Sequence, residues 1–370
     1  MQAVILVGGE GTRLRPLTYG TPKPMVPLFG VPFLERTLSR LKSAGVDHVI
    51  LAAGYLPDAI TRHLGDGARL GLKLTYVIEK EPLGTAGAIK NVEQYISGPF
   101  FVLNGDVLTS LDLRKMIEVH EKRGGLGVLH SIRVEDPSAF GCVVRDETGR
   151  VKSFIEKPPR ETAPTDEINA GTYLLDPAVL EAIPKDTNVS IERATFPKLL
   201  AEGKALYAYL SDDYWLDVGR PDQYLKAHRD VLDRQLALDP LADPEMHRGA
   251  FIFAGAIGAP SNIEPPVFIG ENVEIAPNAM VGPYTVLGDG TRIGPNVVVR
   301  GSVLWDGVHI EEGAHVTDVI LASRVRVGKL AQVGAGTVAG HDQHVEPGTV
   351  VAPDSRLPAT QAEQAAVAPT

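Results

Sequence analysis

A repeat of six residues in the second half of the chain restricts the possible folds more than any other feature. Aliphatic residues recur at every sixth position, at Ile257, Ile263, Ile269, Ile275, Val281, Leu287, Ile293 and Val299. Glycine directly follows several of them, as at Gly258, Gly270, Gly282 and Gly294. An amphipathic helix would instead show apolar residues every three to four positions. The repeat predicts stacked coils, in which each turn covers the apolar face of its neighbour.

The repeat slips by one residue after Trp305, resumes at Ile310, and slips again before Leu321. From there it continues to Val345. It resembles the hexapeptide repeat of left-handed parallel β-helices, in which three hexads form one coil, so about five coils are expected. The Ala-, Pro- and Gln-rich residues that follow are predicted to fray.

The first part of the chain has a different pattern, in which short β-branched runs alternate with segments of helical period. The predicted strands include Val4 to Val7, Val46 to Ala53, Lys73 to Glu79 and Phe100 to Leu103. Such alternation is typical of a parallel sheet with helices on its faces. We therefore expect an α/β doubly wound (Rossmann-like) domain over residues 1–235, a linker over 236–250, a left-handed β-helix over 251–353 and a flexible tail over 354–370.

Composition narrows the classes of function. The net charge of −10 argues against a protein that coats nucleic acid. The single cysteine, Cys142, excludes an intramolecular disulfide and a multi-cysteine zinc site, and it fits a reducing compartment. The chain also shows no secretory leader and no apolar run of about 18 residues. We expect a cytoplasmic protein without membrane or nucleic-acid partners.

Glycines directly follow the first predicted strand, in the string from Gly8 to Thr18, GGEGTRLRPLT, and Pro-Lys-Pro-Met follows at residues 22–25. Glycines in such a position let backbone N–H groups approach a phosphate chain, and Arg13 and Lys23 can supply balancing cations. The spacing matches neither a Walker motif nor a complete dinucleotide fingerprint. Taken alone, it is weak evidence for a phosphate-binding loop.

A carboxylate, Asp106, ends the Asn-Gly-Asp string that follows the strand Phe100 to Leu103. The carboxyl ends of parallel strands are where open α/β sheets bind ligands, and a magnesium ligand would lie there. The same three residues also suit a simple turn. The residues alone leave both interpretations open.

The complete N-terminal string resembles the signature of the sugar-1-phosphate nucleotidyltransferases, Gly-x-Gly-Thr-Arg-Leu-x-Pro-Leu-Thr followed by Pro-Lys-Pro-Met. The resemblance implies catalytic roles for Arg13 and Lys23, which would neutralise a nucleoside triphosphate. It implies Mg²⁺ ligands at Asp106 and at Asp217, the latter in a Trp-x-Asp-x-Gly motif. It further implies nucleotide binding by Leu6, Gly8, Gly9, Gly11, Thr12, Gly84, Thr85 and Asn104.

Two more segments extend the resemblance. They are a Glu-Lys-Pro string at residues 156–158 and an Asn-Ala-Gly string at residues 169–171. By resemblance, Gly141, Glu156, Lys157 and Asn169 bind the sugar phosphate. Without the family, Glu156 and Lys157 would more often form a surface ion pair. The matching elements occur in family order across residues 4–224, which makes the joint match strong.

Two strings are closest to those of mannose-1-phosphate guanylyltransferases, EPLGTAG at residues 81–87 and SIExxTFP at 190–197. They favour transfer of a nucleotidyl group from GTP to mannose 1-phosphate, giving GDP-mannose and pyrophosphate. Thymidylyltransferases or uridylyltransferases that act on glucose 1-phosphate and bear a β-helix are the alternative within the family.

Two alternatives belong to other classes. Hexapeptide acyltransferases use a histidine of the β-helix, and the repeat contains His309, His315, His341 and His344. The chain could also be an inert regulatory subunit, although it retains the cations and carboxylates that catalysis requires. The flat faces and ends of the coils lead us to expect a homodimer or a larger homo-oligomer, formed through the β-helix.

Overall fold

The computed structural model describes residues 1–54, 56–238 and 262–358, and it describes the strand backbone at 245–247, 250–252 and 256–257. The chain divides into two compact units. The first contains Met1–Gly9 and Thr37–Trp215, and the second contains Glu10–Arg36 and Leu216–Thr370. This division differs from the expected domains, because residues 10–36 and the residues from 216 onward group with the coils.

A nine-stranded mixed sheet forms the core of the first unit. Strand Gln2–Val7 lies between His48–Ala53 and Phe100–Asn104 and is parallel to both, and Lys73–Ile78 extends the parallel part. Its side chains at positions 3, 4 and 5 are fully buried, as expected for a central strand covered on both faces. The predicted doubly wound α/β domain is therefore confirmed.

Beyond Phe100–Asn104 the sheet is mixed, a change of strand direction that the strand–helix alternation did not predict. Strand Glu167–Leu175 is antiparallel to Phe100–Asn104. The remaining strands of this side are Gly127–Arg133, Gly141–Arg145, Val151–Glu156 and Leu206–Leu210. The short connection from Arg145 to Val151 is the length of a hairpin loop, and a parallel crossover would need a dozen or more residues.

The α-helices span Phe33–Ser43, Pro57–Leu64, Gly84–Asn91, Leu113–Arg123, Phe196–Ala201 and Pro221–Leu232. Helix Leu113–Arg123 was not predicted. It begins after Asp112, whose side chain accepts a hydrogen bond from the backbone N–H of Arg114, as an N-cap does. A π-helical turn, Ile191–Thr195, precedes Phe196–Ala201. Within the described residues, no helix is long and apolar enough to cross a bilayer.

The coils of the second unit form a left-handed β-helix with three ladders of parallel strands. The first ladder contains Val267–Ile269, Thr285–Leu287, Val303–Leu304, Ile320–Leu321, Val338–Ala339 and Arg356–Leu357, preceded by Ala250–Ile252. The second contains Ala256–Ile257, Glu274–Ile275, Arg292–Ile293, His309–Ile310, Arg326–Val327 and His344–Val345. The third contains Asn262–Ile263, Met280–Val281, Val298–Arg300, His315–Thr317, Gln332–Val333 and Val350–Val351. Among the described residues the second and third ladders have six strands each, one more than the five or so coils expected.

The ends of the coiled region differ from the predicted bounds. Strand Arg356–Leu357 pairs with Val338–Ala339, so the coils extend past residue 353 into the predicted tail. Strand Glu245–His247 lies inside the predicted linker and pairs with Ala250–Ile252 in antiparallel register. Residues 239–244 and 248–249 of that linker, and residues 359–370 of the tail, lie outside the described residues.

The two slips of the repeat shorten the same corner of the coil in two successive turns. In the first ladder Leu287 pairs with Leu304, and Leu304 pairs with Leu321, a separation of 17 residues each time. Ile269 pairs with Leu287, and Leu321 pairs with Ala339, at a separation of 18 residues. Because both short turns lie before a strand of the first ladder, the inward aliphatic positions stay aligned.

Apolar residues of the first ladder also project outward, since side chains alternate along a strand and their neighbours form the interior core. These outward residues are nonetheless buried, and we call them the outer row: Phe268, Val286, Val303, Ile320 and Val338. The Phe29 ring lies 5.1 Å from the Phe268 ring, and Arg229 of helix Pro221–Leu232 bonds Asp318 at 2.6 Å. The outer row therefore faces residues 10–36 and helix Pro221–Leu232.

The interior of the coils predicts a clear stability difference between two leucines. Leu304 is 1% exposed, so Leu304→Ala should lower the free energy of unfolding by about 2–5 kcal/mol, because it leaves a cavity in the interior. Leu330 is 59% exposed, so Leu330→Ala should change it by about 0.5 kcal/mol or less. Urea unfolding followed by circular dichroism measures both, and equal losses would contradict an interior formed by the repeat.

Candidate active site

The glycine-rich string after the first strand belongs to both units, since Gly8 and Gly9 lie in the first and residues from Glu10 lie in the second. Gly11 has a φ of 63°, and a β-carbon there would lie 2.9 Å from Cβ of Lys23. Its carbonyl accepts a hydrogen bond from Oγ1 of Thr18 at 2.8 Å. Only glycine fits this close approach, which places Lys23 directly beside the start of the loop.

Arg13 and Asp217 lie together in the second unit, on either side of Gly219. A β-carbon at Gly219 would lie 2.7 Å from Nη2 of Arg13 and 3.1 Å from Oδ1 of Asp217. The absence of a side chain at Gly219 thus leaves room for the guanidinium beside the carboxylate. Arg13 itself lies in the short 3-10 helix Thr12–Leu14, which follows Gly11.

In the first unit, Leu6 and Asn104 are paired in adjacent parallel strands. Gly105 donates its N–H to the carbonyl of Leu6 at 3.1 Å, and a β-carbon there would lie 2.8 Å from the same oxygen. The Asn104 side chain packs against Gly171, where a β-carbon would lie 2.6 Å from Nδ2. The turn that bears Asp106 is therefore held against the carboxyl end of the first strand, the edge at which ligands bind in open α/β sheets.

The start of helix Gly84–Asn91 packs closely against residues 187–189. The backbone N–H of Ala86 bonds the carbonyl of Val189 at 2.8 Å, and a β-carbon at Gly84 would lie 2.7 Å from that carbonyl. Gly84 also has a φ of 68°. The positive φ and the close approach of the Val189 carbonyl are enough to require glycine at position 84. No contact with a nucleotide is needed to explain it.

A carboxylate that was not among the predicted site residues, Glu192, joins several of those that were. Oγ1 of Thr85 donates to Glu192 at 2.7 Å, and the Tyr173 hydroxyl donates to its other oxygen at 3.3 Å. Nδ2 of Asn169 in turn donates to the Tyr173 hydroxyl at 2.7 Å. Ser190 donates a further hydrogen bond to Glu192. Thr85 and Asn169, predicted to bind nucleotide and sugar phosphate respectively, are therefore connected through one carboxylate.

The other predicted sugar residues meet at one antiparallel pair. Glu156 lies opposite Gly141, and a β-carbon at Gly141 would lie 2.6 Å from Oε2 of Glu156. Burial raises the pKa of Glu156, and the Glu192 carboxylate raises it further. Lys157 donates its backbone N–H to the carbonyl of Phe140, and its Nζ lies 4.0 Å from Glu156. At that distance the exposed lysine is only weakly paired and is available to an anionic ligand.

The predicted metal ligands belong to different units, Asp106 to the first and Asp217 to the second. Within the described part of the chain, no group of three or more His, Cys, Asp or Glu side chains could hold a metal ion. Two carboxylates are nevertheless the donor type that Mg²⁺ takes from proteins, with phosphate oxygens and water completing its octahedral shell. Each of the two carboxylates is by itself a donor of that kind.

The four histidines of the repeat differ in their surroundings. His315 and His344 are exposed, and His309 is half-buried. His341 is half-buried as well, and its Nε2 lies 2.8 Å from Oγ1 of Thr21. Burial lowers the pKa of His341, and the Arg324 charge lowers it further. Within the described residues, the surroundings of these histidines therefore do not support an acyl-transfer site.

Two family models match the chain. The model described as nucleotidyl transferase matches residues 2–234, and the model described as the GMPPB C-terminal domain matches residues 263–369. The first match contains all the site residues predicted above. The second begins inside the β-helix.

Individual proteins are similar over much of the chain. The mannose-1-phosphate guanylyltransferase of Mycobacterium tuberculosis is 44% identical over 264 residues, which cover 70% of this chain and 73% of that protein. Mannose-1-phosphate guanylyltransferase 1 of Arabidopsis thaliana is 44% identical over 239 residues, which cover 63% of this chain and 65% of that protein. The crystal structure of HddC from Yersinia pseudotuberculosis complexed with GMP-PN is 35% identical, with a TM-score of 0.54, over 62% of this chain and 99% of that one.

The contact network around Glu192 predicts a measurable change in the pKa of Glu156. Glu192→Gln removes a nearby negative charge, so the pKa of Glu156 should fall but stay above its ordinary value, because burial is the larger cause of the shift. NMR titration of the glutamate side-chain carboxyl carbons measures this pKa. Glu161→Gln, which changes an exposed carboxylate, should leave it unchanged. An equal pKa in the wild-type and Glu192→Gln proteins would contradict the network.

Proposed function

Because the chain belongs to the nucleotidyl transferase family, we propose that it transfers a guanylyl group from GTP to mannose 1-phosphate, giving GDP-mannose and pyrophosphate. The chain is a nucleotidyltransferase, an enzyme that joins a nucleotide to a sugar 1-phosphate. The choice of guanine and mannose is supported by the names of the relatives and by the GMP-PN complex of HddC. The observation that carries the proposal is the loop that places Lys23 against Gly11 and Arg13 against Asp217.

The reaction requires charge neutralisation more than acid–base chemistry. An oxygen of the sugar phosphate, already anionic, forms a bond to the α-phosphorus, and the bond from that phosphorus to the bridging oxygen of pyrophosphate breaks. The main obstacle is the approach of two polyanions, together with the charge that builds on the leaving oxygen. Arg13 and Lys23 would neutralise the triphosphate from one loop.

We assign the two carboxylates, Asp106 and Asp217, to a divalent cation. Members of this family generally use a divalent metal, and we propose Mg²⁺ here because carboxylate oxygens suit it. When bound, the cation supplies charge neutralisation for the phosphates. Arg13, which lies beside Asp217, would orient that carboxylate as well as contact phosphate.

The sugar phosphate is assigned to the pair of strands that bears Gly141 and Glu156. Glu156 would accept hydrogen bonds from sugar hydroxyls, with Asn169 as a second polar contact, and Lys157 would hold the phosphate. Lys157 has a φ of 50° and its backbone N–H is bonded to Phe140, so its position is restricted by the local backbone. The nucleotide is assigned to Leu6, Gly8, Gly9, Gly11, Thr12, Gly84, Thr85 and Asn104.

We also propose that the chain forms a homodimer or a larger homo-oligomer through the β-helix and that it acts in the cytoplasm. An exposed apolar side chain on the coils supports the first proposal, since Val350 is 72% exposed. Such side chains are common at contact surfaces between copies of a protein.

Substrate choice is tested by pyrophosphate release in the presence of Mg²⁺. The purified chain is supplied with GTP, ATP, UTP or dTTP, each with mannose 1-phosphate or glucose 1-phosphate. GTP with mannose 1-phosphate should give the highest kcat/KM, because the similar proteins are named mannose-1-phosphate guanylyltransferases. A higher value for dTTP or UTP with glucose 1-phosphate would contradict the proposal and establish the alternative within the family.

The metal assignment predicts the effect of one isosteric substitution. Asp106→Asn should reduce kcat by about 10²-fold or more with little change in the melting temperature, because it removes a charge that acts on the reacting phosphates. Asp186→Asn is the matched control, since Asp186 is exposed and has a φ of 54°, which asparagine tolerates. Turnover of Asp106→Asn close to that of the control would refute the assignment.

A further inference from the structure

We propose that two residues of the β-helix, Trp305 and His341, position the loop that carries Lys23. The coils would then set the geometry of phosphate binding, in addition to any role in assembly. The proposal rests on the proposed function, because it takes Lys23 to be a phosphate-binding cation. Every contact that carries it lies within the second unit.

The first anchor lies two residues before Lys23. Nε2 of His341 is 2.8 Å from Oγ1 of Thr21, and a β-carbon at Gly20 would lie 3.5 Å from Cδ2 of the same ring. Burial lowers the pKa of His341 and so favours the neutral ring, whose Nε2 either accepts from the threonine hydroxyl or donates to it. His341 thus both bonds and packs against the segment that leads into Lys23.

The second anchor lies four residues after Lys23. Nε1 of Trp305 donates to the Tyr224 hydroxyl at 3.0 Å, and that hydroxyl donates to the carbonyl of Pro27. Trp305 and Tyr224 are 5% and 1% exposed, so an unpaired polar group here would be costly. The rings of Trp305 and His341 lie 5.4 Å apart, so the two anchors form one cluster, although their coils are separated by the coil that bears Ile320–Leu321.

Further contacts hold the residues after Pro27. Both Nε and Nη2 of Arg36 donate to the carbonyl of Leu28, at 3.0 and 2.7 Å. The Phe29 ring lies 4.9 Å from the His228 ring and 5.1 Å from the Phe268 ring of the outer row. The backbone from Leu28 onward is therefore fixed independently of Lys23.

Between the anchors the chain has little freedom to adjust. Lys23–Met25 is a short 3-10 helix in which Met25 donates to the carbonyl of Pro22 at 2.7 Å and Val26 donates to that of Lys23 at 3.2 Å. Prolines at 22, 24 and 27 restrict the backbone dihedral angles further. A shift at Thr21 or Pro27 would consequently move Lys23 with it, and a displacement of about 1 Å can cost about 10²-fold in rate.

The test is a double-mutant cycle on the first anchor, made in the full chain. Thr21→Val and His341→Ala each remove one partner of the same hydrogen bond, and His341→Gln keeps a polar side chain that can reach Thr21. The matched control is His344→Ala, since His344 lies three residues away on an exposed face. Two quantities are measured for each variant: the affinity for GTP by titration calorimetry, and kcat and KM for both substrates.

We expect Thr21→Val and His341→Ala to weaken GTP binding or lower kcat by about tenfold, with KM for the sugar phosphate unchanged. The double variant should be no worse than either single variant, because the partners act through one contact. His341→Gln should recover most of the loss, and His344→Ala should match the wild-type protein. Trp305→Phe, which keeps an aromatic ring but removes the donor, should show the same pattern.

The proposal is overturned if His341→Ala behaves like His344→Ala, if the effects of the two single variants add, or if His341→Gln recovers nothing. A general loss of stability would lower the melting temperature and alter both KM values together, which also counts against a positioning role. If the wild-type protein binds GTP but transfers it to no sugar phosphate, the proposed function fails. The GTP affinities of the variants still decide whether the coils position the loop.

Discussion

The contact between the outer row of the β-helix and the segments that cover it is the constraint on which the second unit depends. Five outward residues of the first ladder are buried, although an isolated coil would expose them to solvent. Burial of apolar area contributes about 25 cal/mol per Å², so covering this row favours the docking of helix Pro221–Leu232 and of residues 10–36. The loop that carries Arg13 and Lys23 is thereby part of the same packed unit as the coils.

This packing bears on an electrostatic difficulty of the reaction. The chain has a net charge of −10, yet its substrates are polyanions. Charges more than about 8–10 Å apart are largely screened at physiological salt, so cations next to the phosphates matter more than the total charge. In the proposed function Arg13 and Lys23 supply such charges from one loop, and a loop with few alternative conformations loses less entropy when it binds phosphate. Anchoring Thr21 and Pro27 on the coils would restrict the conformations of the loop and so reduce this loss of entropy.

Much of the fold could be predicted from the sequence, because the repeat and the strand–helix alternation are local patterns. The six-residue period identifies the inward residues of the coils except at the first slip, where it points to Trp305 and the interior contains Leu304 instead. The position of the two short turns at one corner follows only from strand pairing. The antiparallel pairing of the strands after Phe100–Asn104 was not predicted, because it joins residues that are distant in the sequence, such as Leu103 and Thr172.

The candidate site could be predicted only in part, for a similar reason. Lys23, Asp106 and Glu156 could be selected as candidates from short motifs, because each lies in a string that contains glycine or proline. Glu192 gains its importance from contacts with Thr85 and Tyr173, which are distant in the sequence, and its motif alone did not indicate that role. The bond from Thr21 to His341 spans 320 positions, so no local pattern could have revealed that the loop packs with the coils.

Hydrogen–deuterium exchange of the loop tests the central claim most directly, namely that the coils hold the segment from Thr21 to Phe29. Exchange of peptides covering this segment is compared between the wild-type protein and Trp305→Phe, with His344→Ala as the reference for an inert change in the coils. The structure predicts faster exchange in Trp305→Phe that is confined to this segment and to the neighbouring turns of helix Pro221–Leu232. Unchanged exchange in the segment, or an increase spread evenly over the chain, would contradict the claim.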